Sequence, residues 1–333
     1  MLNFTWLTVN ARRAIVTFTL SLMLATTSLS TAQELKLPNL GEASTSMFSS
    51  EFEYQLGQAW LRMFRSQVST VDDPLLFDYL ENLIYELVRH SKLDDRRIDL
   101  VVVENPTINA FAVPGGVIGV HNGLLLWAQN EDELATVLAH EVAHLSQRHF
   151  SRGVEYQKKM QPIALAAMLA SFVLMATTGS DIGLASLSAT QAAAQDSVLR
   201  HSRGNEQEAD RVGMQTLADA GMDPYAAPEM FERMMQSSRY AKGDQVPEFL
   251  RSHPLSQNRI ADTRNRAQQY PRKPRNNDLS YQLMRSRVIT ELTETPEMAV
   301  ERFRGELEGT PRSQEATIYG LVLALTSAGR PDE

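Results

Sequence analysis

Apolar residues recur along much of this chain at helical spacing. Between Asp73 and His90, Leu76, Tyr79, Leu80, Leu83 and Leu87 form one stripe, and Glu51 to Val68 repeats the pattern. Glu131 to His149 predicts a third helix, whose stretch Leu134–Ala139 is apolar and rich in alanine, as a buried helix requires. Ile98 to Val103 is short and β-branched and predicts a strand. Phe111–Val113 and Val117–His121 flank Pro114-Gly115-Gly116 and read as a hairpin. A helix follows from about Asn205 to Ala220, and three more cover Ser280–Leu292, Pro296–Leu307 and Ser313–Ala328. The fold class is therefore α+β, mostly helical, with a small β-sheet.

Two segments break this regularity. Pro162 to Thr178 is an apolar run without charge, and after Gly179-Ser180-Asp181 an alanine- and serine-rich stretch runs from Leu184 to Leu199. The run is short for a membrane span and lacks flanking aromatics. It reads as a buried helical hairpin or as an apolar flap that makes a peripheral membrane or partner contact through 162–199. Pro271 to Asn277 is basic and proline-containing, a linker-like boundary.

At the N-terminus, Arg12-Arg13, the apolar stretch Ala14–Ala25 and the small residues Ser30-Thr31-Ala32 form a secretory signal with cleavage expected after Ala32. The apolar stretch is too short for an anchor of about 20 residues. The expected address is the periplasm, where a chain without cysteine has neither disulfides nor thiolate ligands. Residues 1–32 hold two arginines and no acid, so their removal takes the net charge from −8 to −10. That acidity argues against nucleic acid as a partner. The division expected is a signal peptide at 1–32, a main domain at 33–270, a linker at 271–279 and a helical segment at 280–333.

The chemistry enters at His140-Glu141-Val142-Ala143-His144. Residues four apart on a helix share a face, so both imidazoles reach one metal ion. Glu141 lies beside them, where a carboxylate holds and deprotonates a metal-bound water. Zinc there polarises a scissile carbonyl and lowers the pKa of that water to about 7. A surface helix carrying the same letters is the plain alternative, but polar groups on a buried helix need partners. Catalytic zinc takes three protein ligands. Glu206 and Asp210, again four apart, offer the third ligand and a carboxylate to hold the far nitrogen of a ligating histidine. An ordinary acidic first turn is the alternative for this pair. Glu208 falls off their face and reads as solvated.

These residues resemble the gluzincin branch that contains the CaaX-prenyl endopeptidases and the HtpX-type membrane proteases. Further matches are Asn109-Ala110-Phe111-Ala112-Val113-Pro114-Gly115-Gly116, the helix end His144-Leu145-Ser146-Gln147-Arg148-His149, and Ser252-His253-Pro254-Leu255 with Arg259-Ile260. The resemblance covers about Phe48 to Gln269 and is greatest to exported members concerned with outer-membrane β-barrels. It implies a zincin-type metalloprotease with one Zn(2+) per chain, and a strand at the active-site edge able to pair with substrate. It also implies unfolded or misassembled polypeptide substrates and the outer-membrane β-barrel assembly machinery as a partner. The alternative function is a chaperone-like assembly factor with a latent or structural zinc site.

Of the remaining histidines, His90, His121 and His201 read as ordinary polar residues. His149 lies off the ligand face of a continuous helix, placed for capping or for a supporting hydrogen bond. His253 precedes Pro254, which keeps the backbone extended. It suits either an oxyanion-stabilising role or a fourth zinc ligand that renders the enzyme latent. Arg203 and Arg259 read equally as carboxylate-orienting or as surface charge. The last helix, with Ala316, Tyr319, Gly320, Leu321, Ala324 and Leu325, resembles the first helix of a tetratricopeptide repeat. Only the start of such an array is expected before Glu333, as in a truncated or short form.

Overall fold

The computed structural model describes residues 48–161, 199, 202–240, 247–273 and 278–333. The signal and leader, the apolar 162–178 segment, most of 184–199, His201 and residues 274–277 of the linker lie outside the described residues. The first helix, α1, spans Ser50–Arg65 and is capped by Ser49, whose hydroxyl accepts from the Phe52 N–H. The next, α2, spans Pro74–Arg89; Asp73 caps it through the N–H groups of Leu75 and Leu76, and Pro74 opens the first turn. Its stripe of Leu76, Leu80, Leu83, Ile84, Leu87 and Val88 is buried.

Three strands follow, β1 (Asp99–Val103), β2 (Ala110–Val113) and β3 (Val117–His121). The sheet order is β1-β3-β2. Strands β2 and β3 form the antiparallel hairpin, Ala110 opposite Val120 and Val113 opposite Val117. Its turn places Gly115 and Gly116 at φ 85° and 87°, a region L side chains rarely adopt. β1 pairs in parallel with β3, Asp99 opposite Val117 and Val103 opposite His121. Within this sheet β2 is an edge strand.

A single turn, α3 (Leu124–Trp127), leads into α4 (Glu131–Ser146). Asn130 caps α4 by accepting from the Glu133 N–H at 3.0 Å, and three acids occupy its first turn, where the helix dipole favours them. Every residue from Glu133 to Ala143 is buried, so α4 runs through the core rather than along its surface. The helix was expected to reach His149, but it stops at Ser146. Arg148 adopts φ 51°, outside the helical region. That strain of roughly 1–3 kcal/mol is offset by Arg148 donating to the Phe48 carbonyl and to Glu53. Helix resumes over 149–161 (α5).

Residues 202–219 form α6, followed by α7 (Ala226–Tyr240), α8 (Glu248–Ser252) and α9 (Gln257–Ala267). Close approach of α6 to α4 depends on Gly213. A Cβ there would stand 3.2 Å from the backbone of Ala139 and from His140 N. Glycine inside a helix costs about 1 kcal/mol relative to alanine, and here it lets two ligand-bearing helices touch.

The C-terminal helices are α10 (Leu279–Leu292), α11 (Pro296–Glu308) and α12 (Gln314–Ser327). Tyr281 and Val288 of α10 join the same apolar cluster as α2, the sheet and α4. Tyr281 also donates to the carbonyls of Leu125 and Ala128, at 2.8 and 2.9 Å. A second cluster, Ile289, Ala299, Val300, Phe303, Ala324 and Leu325, ties the three helices together with Leu126 against it. Among the described residues no helix is long and apolar enough to cross a membrane.

Candidate active site

Helix α4 presents His140 and His144 on one face, with the two Nε2 atoms 3.0 Å apart. From α6, Glu206 brings its carboxylate to 3.4 Å from His140 Nε2 and 3.5 Å from His144 Nε2. The short α8 ends at His253, whose Nδ1 lies 3.3 Å from His140 Nε2 and 3.1 Å from Glu206 Oε2. The placement of His253 has a local cause. Phe249, fully buried, stacks on its ring at 4.7 Å, and the Phe249 N–H donates to Ile108 in the loop before β2. Donor atoms of His140, His144, Glu206 and His253 all lie within 4.8 Å of one another. Two or three imidazoles with one carboxylate and no thiolate are a donor set suited to zinc.

Glu141 faces the opening of this cluster. Its Oε1 is buried without a hydrogen-bond partner among the described residues, and His253 Nε2 stands 3.5 Å from it. A buried carboxylate oxygen left bare is costly unless a ligand or water completes it. Burial raises the pKa of Glu141 above the usual carboxylate range, against the pull of His253, His140 and the Ala112 backbone N–H.

Asp210 lies behind His140, its Oδ1 3.1 Å from Nδ1. Arg259 from α9 holds Asp210 by two parallel bonds of 2.7 Å, and its Nη1 reaches Glu206 at 3.1 Å and the Pro254 carbonyl at 2.9 Å. Burial opposes the charge on each of these groups, and their mutual contacts prevail. His140 is pushed up to about 9 by Asp210 and Glu206 despite its burial. Glu206 and Asp210 are held below the usual carboxylate range, Glu206 by His140 and His253 and Asp210 by Arg259 and His140, although burial acts the other way. His144 has no carboxylate at its far nitrogen, and burial followed by the His140 charge drives it well below an ordinary histidine.

The structure thus brings together His140, Glu141, His144, Glu206, Asp210 and His253. Arg259 is 4% exposed and bonded to two acids, so the surface reading of it does not hold. Arg203 is exposed. Glu208, expected in solvent, instead contacts His149 at 3.2 Å and Arg152 at 2.8 Å, because the turn at Gln147-Arg148 redirects α5 toward α6. His121 is buried, with Nδ1 3.0 Å from the Thr107 hydroxyl, and takes no part in the cluster. Arg152 and Gly213 carry no motif; a helix-interior glycine three residues past Asp210 was the one available signal.

A cleft of about 320 Å³ opens beside Glu141, lined by Phe111 and Ala112 of the edge strand β2, by Leu145 and Phe150, and by His144 and His253. Among the described residues it places edge strand β2 next to the Glu141 carboxylate, an arrangement suited to an extended polypeptide.

The sequence model of peptidase family M48 matches residues 74–267, more than half of the chain. A putative beta-barrel assembly-enhancing protease of Vibrio cholerae is 39% identical over 255 residues, 77% of this chain and 52% of the relative. The beta-barrel assembly-enhancing protease of Yersinia pestis is 36% identical over 307 residues, 91% of this chain and 62% of the relative. A mitochondrial metalloendopeptidase of Schizosaccharomyces pombe is 30% identical over 190 residues, 55% of this chain and 50% of the relative. The chain therefore spans between half and two thirds of the length of these relatives.

Proposed function

This chain belongs to peptidase family M48, and on that footing we propose that it is a periplasmic zinc metalloendopeptidase acting on misfolded or stalled envelope proteins. The observation that carries the reading is the buried Glu141 carboxylate, whose Oε1 has no hydrogen-bond partner among the described residues, beside two imidazoles and the Glu206 carboxylate. His140, His144 and Glu206 are the residues assigned to hold the ion, one per chain. Zinc, when bound, supplies a Lewis acid and lowers the pKa of the attacking water. Glu141 accepts the proton of that water and passes it to the leaving amine, a task its raised pKa favours. Asp210 fixes His140 through Nδ1, with Arg259 holding Asp210 in turn. Edge strand β2 lays the substrate along the cleft by backbone pairing, which tolerates many side chains.

The substrate class rests on the names of the Vibrio and Yersinia relatives, which tie those proteins to β-barrel assembly. The address rests on the leader of residues 1–32. We further assign 33–270 to the protease, 271–279 to a linker and 280–333 to the beginning of a tetratricopeptide-like array that meets the outer-membrane assembly machinery. Ala316, Gly320 and Ala324, four apart on α12, supply the small-residue face such helix pairs use.

One observation favours a second reading, a latent protease with chaperone-like work. His253 Nδ1 sits inside the donor cluster, where it suits a fourth ligand. The deciding experiment is digestion of an unfolded protein by the zinc-loaded chain beside its Glu141→Gln variant. The variant is expected to lose about 10²–10⁴-fold in rate while keeping its zinc. Equal cleavage by both would remove Glu141 from the chemistry. Cleavage by neither would favour latency, and His253→Ala should then release activity.

A further inference from the structure

We propose that His149, Glu208 and Arg152 form a positioning relay behind His144 that fixes which of its ring nitrogens faces the metal. The inference deepens the zinc reading and rests on it. His144 Nε2 faces His140 and Glu206 in the donor cluster, while its Nδ1 points away and meets His149 Nδ1 at 2.9 Å. Two ring nitrogens at that separation share one proton, so one donates and the other accepts. The next contact decides which. His149 Nε2 lies 3.2 Å from Glu208 Oε2, and a carboxylate oxygen accepts. The proton of a neutral His149 is therefore on Nε2, and its Nδ1 carries a lone pair. His144 must then donate from Nδ1, which leaves its Nε2 lone pair free for a metal. Arg152 Nη1 donates to the same Glu208 oxygen at 2.8 Å and holds the carboxylate in place.

The backbone makes this possible. On an unbroken helix, residue 149 would stand about 140° around the axis from residue 144. The turn at Gln147-Arg148, with Arg148 at φ 51°, swings His149 back behind His144 and buries it to 6% exposure. Helix α6 then serves both histidines, because Asp210 stands at the far nitrogen of His140 and Glu208 at the far end of His149. The two supports differ in charge. The cluster already contains Glu141, Glu206 and Asp210. An imidazole acceptor orients His144 without placing a fourth carboxylate against them, and Glu208 acts from one ring further out.

Two substitutions of His149 in the full chain separate orientation from packing. Asparagine places its Oδ1 near the former Nδ1 and still accepts from His144, whereas leucine fills similar space and accepts nothing. Zinc affinity, measured by competition with a chromogenic chelator, should fall about tenfold or more in His149→Leu and stay close to wild type in His149→Asn. The visible absorption spectrum of the cobalt-loaded chain should change in the leucine variant alone. The melting midpoint of the metal-free chain reports whether the fold is kept. If His149→Leu does not fold, Glu208→Ala decides: weaker zinc binding supports the relay, and unchanged binding overturns it. Wild-type affinity in His149→Leu, or equal loss in both variants, also overturns it. A wild-type chain that binds no zinc overturns the relay and the zinc reading together, whereas failure of the relay alone leaves wild-type zinc binding intact.

Discussion

The donor cluster and the apolar cluster between the C-terminal helices are both kept from water, and by opposite means. Around α4, α6 and α9 the interior holds His140, Glu141, Glu206, Asp210 and Arg259, each charged or titratable. Between α10, α11 and α12 it holds Ile289, Ala299, Val300, Phe303, Ala324 and Leu325. The apolar region gains stability from every side chain removed from water, at about 25 cal/mol per Å². In the polar region desolvation opposes each charge, and only mutual pairing keeps the groups inside. One region stabilises the fold, while the other draws on that stability to hold a reactive geometry.

Removing one charge from the polar region should produce the largest effect. Arg259→Ala leaves Asp210 and Glu206 without their cation, and the metal-free chain should lose about 3–5 kcal/mol by denaturant unfolding. Zinc should restore part of that loss, because it brings positive charge to the same carboxylates. Phe303→Ala should cost a similar 3–5 kcal/mol through the cavity it leaves, but zinc affinity should stay at the wild-type value. If zinc rescues both variants equally, the two regions are not distinct. A smaller effect follows from pH. His140 is raised from 6.5 to about 9 in the metal-free chain, so binding displaces a proton below that value. Apparent zinc affinity should climb about tenfold per pH unit below about 9 and level off above it. By the same sign, the stability that His140 lends the metal-free fold is complete below pH 6.5 and is lost as pH rises through about 9. A flat affinity profile would show that His140 is already unprotonated. Least of all, Tyr281→Phe should cost about 1 kcal/mol by removing the hydroxyl that bonds to Leu125 and Ala128, without moving the pH profile.

Much of the site was legible because its parts are local. Helical spacing puts His140 beside His144 and Glu206 beside Asp210, and the hairpin follows from Pro114-Gly115-Gly116. What escaped depends on distant partners. Arg148 leaves the helical region because Phe48 and Glu53 lie far back in the chain. That turn in turn brings Glu208 into contact with His149 and Arg152 and places His149 behind His144. Arg259 read equally as carboxylate-orienting or as surface charge until its bonds to Asp210, 49 positions earlier, were in view. The parallel pairing of β1 with β3 has no signature in either strand alone. The docking of α10 rests on a Tyr281 hydroxyl reaching 156 positions back to Leu125.

The separation of the donors along the chain also sets an order of events. His140 and His144 leave the ribosome together, but Glu206 follows 62 positions after His144, and His253 comes later still. Until α6 docks on α4 through Gly213, the histidine pair has no third donor, and an ion held by two imidazoles exchanges readily. The complete donor set is therefore available only once α6 has been made and docked. Ion capture is thereby tied to the docking of α6 on α4, an order set by the positions of the donors along the chain.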